Sequence, residues 1–116
     1  MNELQVFKNE KFGTVRTITE NGRTFFCAKD VATALGYKDT TNAIKQHCRW
    51  VVKHHLPHPQ APDKTIEMSF IPEGDIYRLA AKSQIPGADE FERWIFDEVL
   101  VSVNHTGGYL GDTAGM

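Results

Sequence analysis

The spacing of apolar positions changes along the chain, and each change predicts an element. In LQVFKNEKFGTVRTITENGRTFFCA, Val15 and Thr17 alternate with their neighbours, Asn21-Gly22 follows, and Phe25 and Phe26 come next. Asn-Gly between two such runs predicts a β-hairpin, because both residues tolerate the positive φ of a type I′ turn. A short strand at Leu4 to Phe7 precedes it. From Ala28, the residues Val31, Ala32 and Leu35 fall at helical spacing, and Gly36 ends the run as a C-terminal cap glycine does. Beyond Tyr37 and Lys38, any of Asp39, Thr40 and Thr41 can cap a second helix. Its inner side holds Ala43 and Ile44 with His47 or Cys48, which leaves Asn42, Lys45, Gln46 and Arg49 outward.

RWVVKHHL and KTIEMSFI then read as two strands, with Ile66, Met68 and Phe70 alternating against Thr65, Glu67 and Ser69. The prolines of the intervening PHPQAPD exclude regular structure there. A helix pair followed by a hairpin is the order of a winged helix domain. Pro72 suits a first helical position, ahead of Ile76, Leu79 and Ala80 on one face. IPG at 85–87 breaks that helix. A longer one starts near Asp89, with Phe91, Trp94, Ile95 and Val99 as its apolar stripe and Glu90, Glu92, Asp97 and Glu98 outside. The expected fold class is α+β: antiparallel β-hairpins packed with a helix-turn-helix-like pair and two C-terminal helices. It occupies residues 1–105 as one domain, and the Gly-rich stretch 106–116 reads as a tail or the start of a linker.

Composition narrows the class. With 41% hydrophobic and 24% charged residues, the chain has the make-up of a globular domain. No stretch approaches the roughly 20 apolar residues of a membrane span, and the start lacks the apolar run of a signal peptide. Two cysteines, Cys27 and Cys48, are too few for a disulfide scaffold. The expectation is a cytoplasmic protein with both thiols free and Cys27 buried. The formal net charge of −2 speaks mildly against nucleic acid, but its distribution is polarised. Residues 23–55 carry six basic groups (Arg23, Lys29, Lys38, Lys45, Arg49, Lys53) against Asp30 and Asp39, a block of +4. Residues 56–103 form a block of −5.

The candidate chemistry lies in the basic block. Ala32 stands four residues before Gly36, as in a helix-turn-helix, although the next apolar anchor, Ile44, comes two residues later than standard and implies a longer turn. Asn and Gln bond adenine bidentately, Lys and Arg bond guanine or phosphate, and Thr contacts phosphate or the thymine methyl. Lys38, Thr40, Thr41, Asn42, Lys45, Gln46, Arg49 and Lys53 supply that set. Asn42 and Gln46 are the candidates for base edges, Lys38, Lys45, Arg49 and Lys53 for phosphates, and Thr40 and Thr41 for capping combined with backbone contact. The bland alternative is that any exposed helix face is polar.

Other constellations carry less. Cys48, His54, His55 and His58 include zinc-type ligands, but their spacing fits no common finger, and adjacent His54 and His55 face opposite sides of a strand. Neither cysteine lies in a catalytic signature, so no enzyme, metal or cofactor is expected. Trp50 and Trp94 read first as core aromatics, with stacking of a single strand on Trp50, beside Arg49 and Lys53, as a lesser option. Lys29 with Asp30, and Glu73 with Asp75, read as charged first turns favoured by the helix dipole.

The runs FFCAKDVATALGYKDTTNAIKQHC and FIPEGDIYRLAAKSQIPGADEFERWIFDEVLVSVNHTGGY resemble the amino-terminal domain of the BRO family, Bro-N, found in phage antirepressors and baculovirus proteins. The resemblance spans Phe7 to Tyr109. It rests on Ala28-Lys29-Asp30-Val31-Ala32 with Leu35-Gly36-Tyr37, on Glu73-Gly74-Asp75-Ile76-Tyr77-Arg78-Leu79, and on Thr106-Gly107-Gly108-Tyr109. Val101 stands where the family favours Pro, and Asn104-His105 where it often has a basic pair. The resemblance implies a double-stranded-DNA-binding α+β domain of viral or prophage origin, acting in a bacterial host's cytoplasm and commonly followed by a further domain. A homodimer suits paired half-sites. The competing expectation is a module that binds a repressor protein through the acidic helices around Glu90 to Glu98 without touching DNA.

Overall fold

A computed structural model describes residues 3–102 except 59 and 84. Strands β1 (Glu3–Asn9), β2 (Gly13–Glu20) and β3 (Arg23–Cys27) lead into helices α1 (Ala28–Ala34) and α2 (Thr40–His47). Strands β4 (Val52–His58) and β5 (Ala61–Pro72) and helices α3 (Glu73–Lys82) and α4 (Ala88–Trp94) follow, and α4 runs on into a π-helical segment, Ile95–Leu100. All five strands form one antiparallel sheet in the order β1-β2-β3-β5-β4. The tail expected from Thr106, together with Asn104 and His105, lies outside the described residues.

The β2–β3 turn has Asn21 at φ 53° and Gly22 at φ 78°, the left-handed pair that a type I′ hairpin requires. The second hairpin departs from the winged-helix expectation. Its β5 strand pairs Phe70, Ile71 and Pro72 with Cys27, Phe26 and Phe25 of β3, so the hairpin is rooted in the main sheet. Residues 61–69 pair only with β4 and extend beyond β3 as a two-stranded ribbon.

Period-two alternation splits the sheet's side chains between two clusters. Val15, Phe26 and Ile71 pack against Val31 and Leu35 of α1, Ile76 and Leu79 of α3, and Phe91, Trp94, Ile95 and Val99 of the C-terminal helix. Ile18, Phe25, Cys27 and Phe70 form a smaller cluster on the other face. The central strand is therefore apolar throughout the run Phe25-Phe26-Cys27, because it is covered on both sides. Each fully buried Phe or Ile contributes roughly 1.5–3 kcal/mol. The π-helical segment has a packing reason. An α-helical period would place Glu98, four residues after Trp94 and three after Ile95, in the middle of the buried face. The wider turn substitutes Val99, which is fully buried, and leaves Glu98 exposed.

The helix pair is fixed by its turn. Gly36 (φ 86°) donates to the Thr33 carbonyl, and Tyr37 donates its N–H to the Ala32 carbonyl, both at 3.0 Å, which is a Schellman closure of α1. The Tyr37 hydroxyl then donates to the Leu79 carbonyl on α3 at 2.7 Å, and the Ser83 hydroxyl donates to the Leu35 carbonyl at 2.7 Å. At the other end of α2, Asp75 is fully buried in the first turn of α3. One carboxylate oxygen accepts from the Trp50 N–H at 2.8 Å, both accept from the Arg49 N–H at 3.1 Å, and Arg78 Nε lies 3.3 Å away. Asp75 is thus no mere dipole charge; it anchors the link between α2 and β4. Pro72 is the residue preceding α3 rather than its first helical position.

Two stability outcomes follow. Asp75→Asn turns one acceptor into a donor facing a backbone N–H, so urea unfolding is expected to show a loss of about 2–3 kcal/mol; a change under about 0.5 kcal/mol would show that the anchor is dispensable. Gly36→Ala places a Cβ at positive φ and against Ile85 Cγ2. The same assay is expected to show a loss of at least about 1–2 kcal/mol, and an unchanged midpoint would contradict this turn geometry.

Candidate nucleic-acid interface

Helix α2 is amphipathic and displays four of its six polar side chains. Ala43 is buried, Thr40, Ile44 and His47 are half-buried, and Thr41, Asn42, Lys45 and Gln46 are exposed. At 3.6 residues per turn those four exposed positions occupy one arc. Asp39 caps the helix, its side chain accepting from the Asn42 N–H at 3.0 Å. Thr40 and Thr41 therefore do not cap; they stand as the first two helical residues. Both line a cleft of about 520 Å³ shared with Arg16 and Lys29 on one side and Ile66 and Met68 on the other.

The predicted basic residues are all at the surface. Arg23, Lys29, Lys38, Lys45, Arg49 and Lys53 are exposed. Lys38 lies in the turn before α2 and Arg49 in the link after it, so both flank the exposed arc in the chain. Lys53 is on edge strand β4, with its Nζ 3.7 Å from Glu67, an acid that lines the same cleft as Thr40 and Thr41.

The two acids of the basic block are already engaged. Asp39 is the α2 cap. Asp30 in α1 takes the Arg16 guanidinium bidentately, with Nε at 2.8 Å and Nη2 at 2.9 Å, and also accepts the Arg16 N–H at 3.0 Å. This pair holds the Arg16 guanidinium more firmly protonated than usual and clamps α1 to β2. Asp30 is thus neutralised by Arg16 of β2, whereas the Asp39 carboxylate stands at the exposed start of α2 among the block's exposed cations.

The histidines separate as the strand period requires. His54 stacks edge-on against Phe70, with its Nε2 3.6 Å from Glu20, while His55 is exposed with its Nε2 3.7 Å from Glu67. Among the described residues no three His, Cys, Asp or Glu side chains converge on a metal position. Cys27 is buried and Cys48 half-buried; burial pushes both thiols up, that of Cys48 to about 12. Among the described residues, no helix is long and apolar enough to cross a membrane.

The core reading holds for Trp94, which is 6% exposed, and fails for Trp50, which is 66% exposed. The reason is backbone direction. Asp75 holds the Trp50 N–H inward, and the indole stands at a cleft of about 580 Å³ with Arg23, Phe25, Arg49, Val52 and Pro72. Sequence reasoning also missed the Asp75 anchor and the Arg16–Asp30 clamp. Both join residues far apart in the chain, and a carboxylate in a first turn looks the same whether it faces solvent or a neighbouring backbone.

Comparison with known proteins identifies the family. The family described as "BRO family, N-terminal domain", Bro-N, matches residues 14–101. A Haemophilus influenzae protein named only as uncharacterized is 41% identical over 98 residues, covering 82% of this chain and 47% of that protein. Bro-N domain-containing protein 289L of Invertebrate iridescent virus 6 is 30% identical over 102 residues, 73% of this chain and 24% of the viral protein. An uncharacterized Bro-N domain-containing protein J of Lymantria dispar multicapsid nuclear polyhedrosis virus is 25% identical over 99 residues, 72% of this chain and 25% of its own length. The chain thus spans half or less of each of these relatives. No solved structure matches it. On the family match and these relatives, the chain belongs to the BRO family and carries its N-terminal domain.

Proposed function

We propose that this Bro-N domain binds double-stranded DNA through the exposed arc of α2, as part of an antirepressor-type regulator of phage or prophage genes in a bacterial cytoplasm. The observation that carries the reading is the combination on α2: Asn42 and Gln46, the bidentate adenine readers, share one solvent-facing arc with Lys45 and Thr41, while Asp39 caps the helix and Asp30 is paired with Arg16. Asn42 and Gln46 contact base edges, Lys38, Lys45 and Arg49 neutralise phosphates, and Thr40 and Thr41 meet the sugar-phosphate backbone at the helix start. Lys53 contributes only when it leaves Glu67. The rigid turn at Gly36 and the Asp75 anchor hold both ends of α2, so little ordering remains for binding to supply.

Fluorescence anisotropy of a labelled duplex over about 50–200 mM salt tests this. Affinity is expected to fall steeply with salt, and Lys45→Ala and Arg49→Ala are each expected to lower the slope of log K against log salt by about 1. Asp97→Lys with Glu98→Lys, on the exposed acidic side of the C-terminal helix, is expected to leave DNA binding intact. Absence of binding at the lowest salt by a folded protein would refute the DNA reading, and capture of a repressor protein lost in the Asp97/Glu98 variant would place function on the acidic helix.

A further inference from the structure

A large aromatic side chain normally leaves water if the fold allows it, so a tryptophan held out in solvent calls for a physical account. Trp50 is not on a slack loop. Its N–H and that of Arg49 are fixed by the fully buried carboxylate of Asp75, three residues into α3, and β4 begins two residues later at Val52. The ring is therefore presented from an anchored backbone.

The surroundings have one chemical character. The cleft of about 580 Å³ at Trp50 has an apolar floor of Phe25, Val52 and Pro72 and carries Arg49 and Arg23. It falls within the range of about 300–1,000 Å³ typical of small-ligand clefts. Arg23 lies with its guanidinium carbon 5.5 Å from the centre of the Phe25 ring. Among the described residues no carboxylate lines the cleft and neither guanidinium is in an ion pair. Two cations outside any ion pair beside an exposed aromatic plane suit a ligand that is anionic on one side and flat and aromatic on the other.

We propose that this cleft is a nucleotide-stacking site for an unpaired base of single-stranded DNA, with the base against the Trp50 indole and its flanking phosphates on Arg49 and Arg23. A paired base inside a duplex has no free face to offer, so the site is distinct in substrate from the α2 arc. The inference rests on the reading of this domain as a DNA binder and adds a second strand state to it. Near a melted or flapped segment, α2 would engage the duplex while Trp50 takes the unpaired base beside it.

The chain supplies its own probes, because Trp50 is exposed and Trp94 is buried. Titrating the intact chain with an oligothymidylate of about a dozen nucleotides is expected to quench the red-shifted emission of Trp50 and leave the Trp94 component unchanged. Trp50→Ala is expected to weaken oligothymidylate binding about tenfold or more. Trp50→Phe is expected to restore much of it, which a merely structural role for the indole would not predict. Duplex affinity and its salt slope are expected to be the same in Trp50→Ala as in the parent. Unquenched Trp50 emission, or oligothymidylate affinity unchanged in Trp50→Ala, would overturn the proposal while duplex binding stands. Equal quenching by inorganic polyphosphate would overturn it by reducing the cleft to a charge site. Equal losses for duplex and single strand in Trp50→Ala would also overturn it, by assigning Trp50 to the duplex surface.

Discussion

The buried carboxylate of Asp75 is the constraint on which the functional face depends. Between the last residue of α2, His47, and the first of β4, Val52, the Arg49 and Trp50 N–H groups make no helix or strand hydrogen bond. Unpaired buried donors cost on the order of 1–3 kcal/mol each. Asp75 satisfies both at once, with Arg78 balancing part of its charge, and in doing so joins the helical layer to the edge of the sheet. The same contact turns two side chains outward. Arg49 and Trp50 are exposed because their backbone is held inward.

Rigidity and display are divided between elements in a consistent way. The sheet and the faces of α1, α3 and the C-terminal helix bury the large apolar residues, whereas α2 packs on them through a narrow face of Ala43 and half-buried Ile44. The Schellman turn at Gly36, with Tyr37 bonded to α3, fixes the start of the pair; the Asp75 anchor fixes its finish. With one narrow packed face and both ends fixed, α2 gives its other side chains to solvent without losing position. Electrostatics follow the same division. Asp30 is paired with Arg16 and Asp39 caps α2, while Asp97 and Glu98 stand exposed on the C-terminal helix.

Much of the architecture was legible in the sequence because it is written in local patterns. The Asn21-Gly22 turn, the Gly36 stop and the stripes Ile76-Leu79-Ala80 and Phe91-Trp94-Ile95-Val99 are short-range signals, and the structure has each of them. Three features were not legible. The rooting of the second hairpin in the main sheet depends on β5 pairing with β3 across some 45 intervening residues. The widening at Ile95 depends on the core covering the Phe91-Trp94-Ile95 face so completely that Glu98, next on that face by period, must give way to Val99. The exposure of Trp50 depends on a carboxylate 25 residues away. Of the candidate site, the outward set Asn42, Lys45, Gln46 and Arg49 was readable from helical spacing. The capping role of Asp39, the Lys53–Glu67 contact and the whole Trp50 cleft needed the fold.

The central claim is that this domain meets DNA with the α2 arc held between two fixed ends. Amide chemical-shift mapping of the labelled chain during titration with a short duplex tests it most directly. The account predicts shifts concentrated at Lys38 to Arg49, with the amides of Phe91 to Glu98 unmoved. Shifts confined to Phe91 to Glu98, or no shifts at a concentration where anisotropy shows binding saturated, would contradict it.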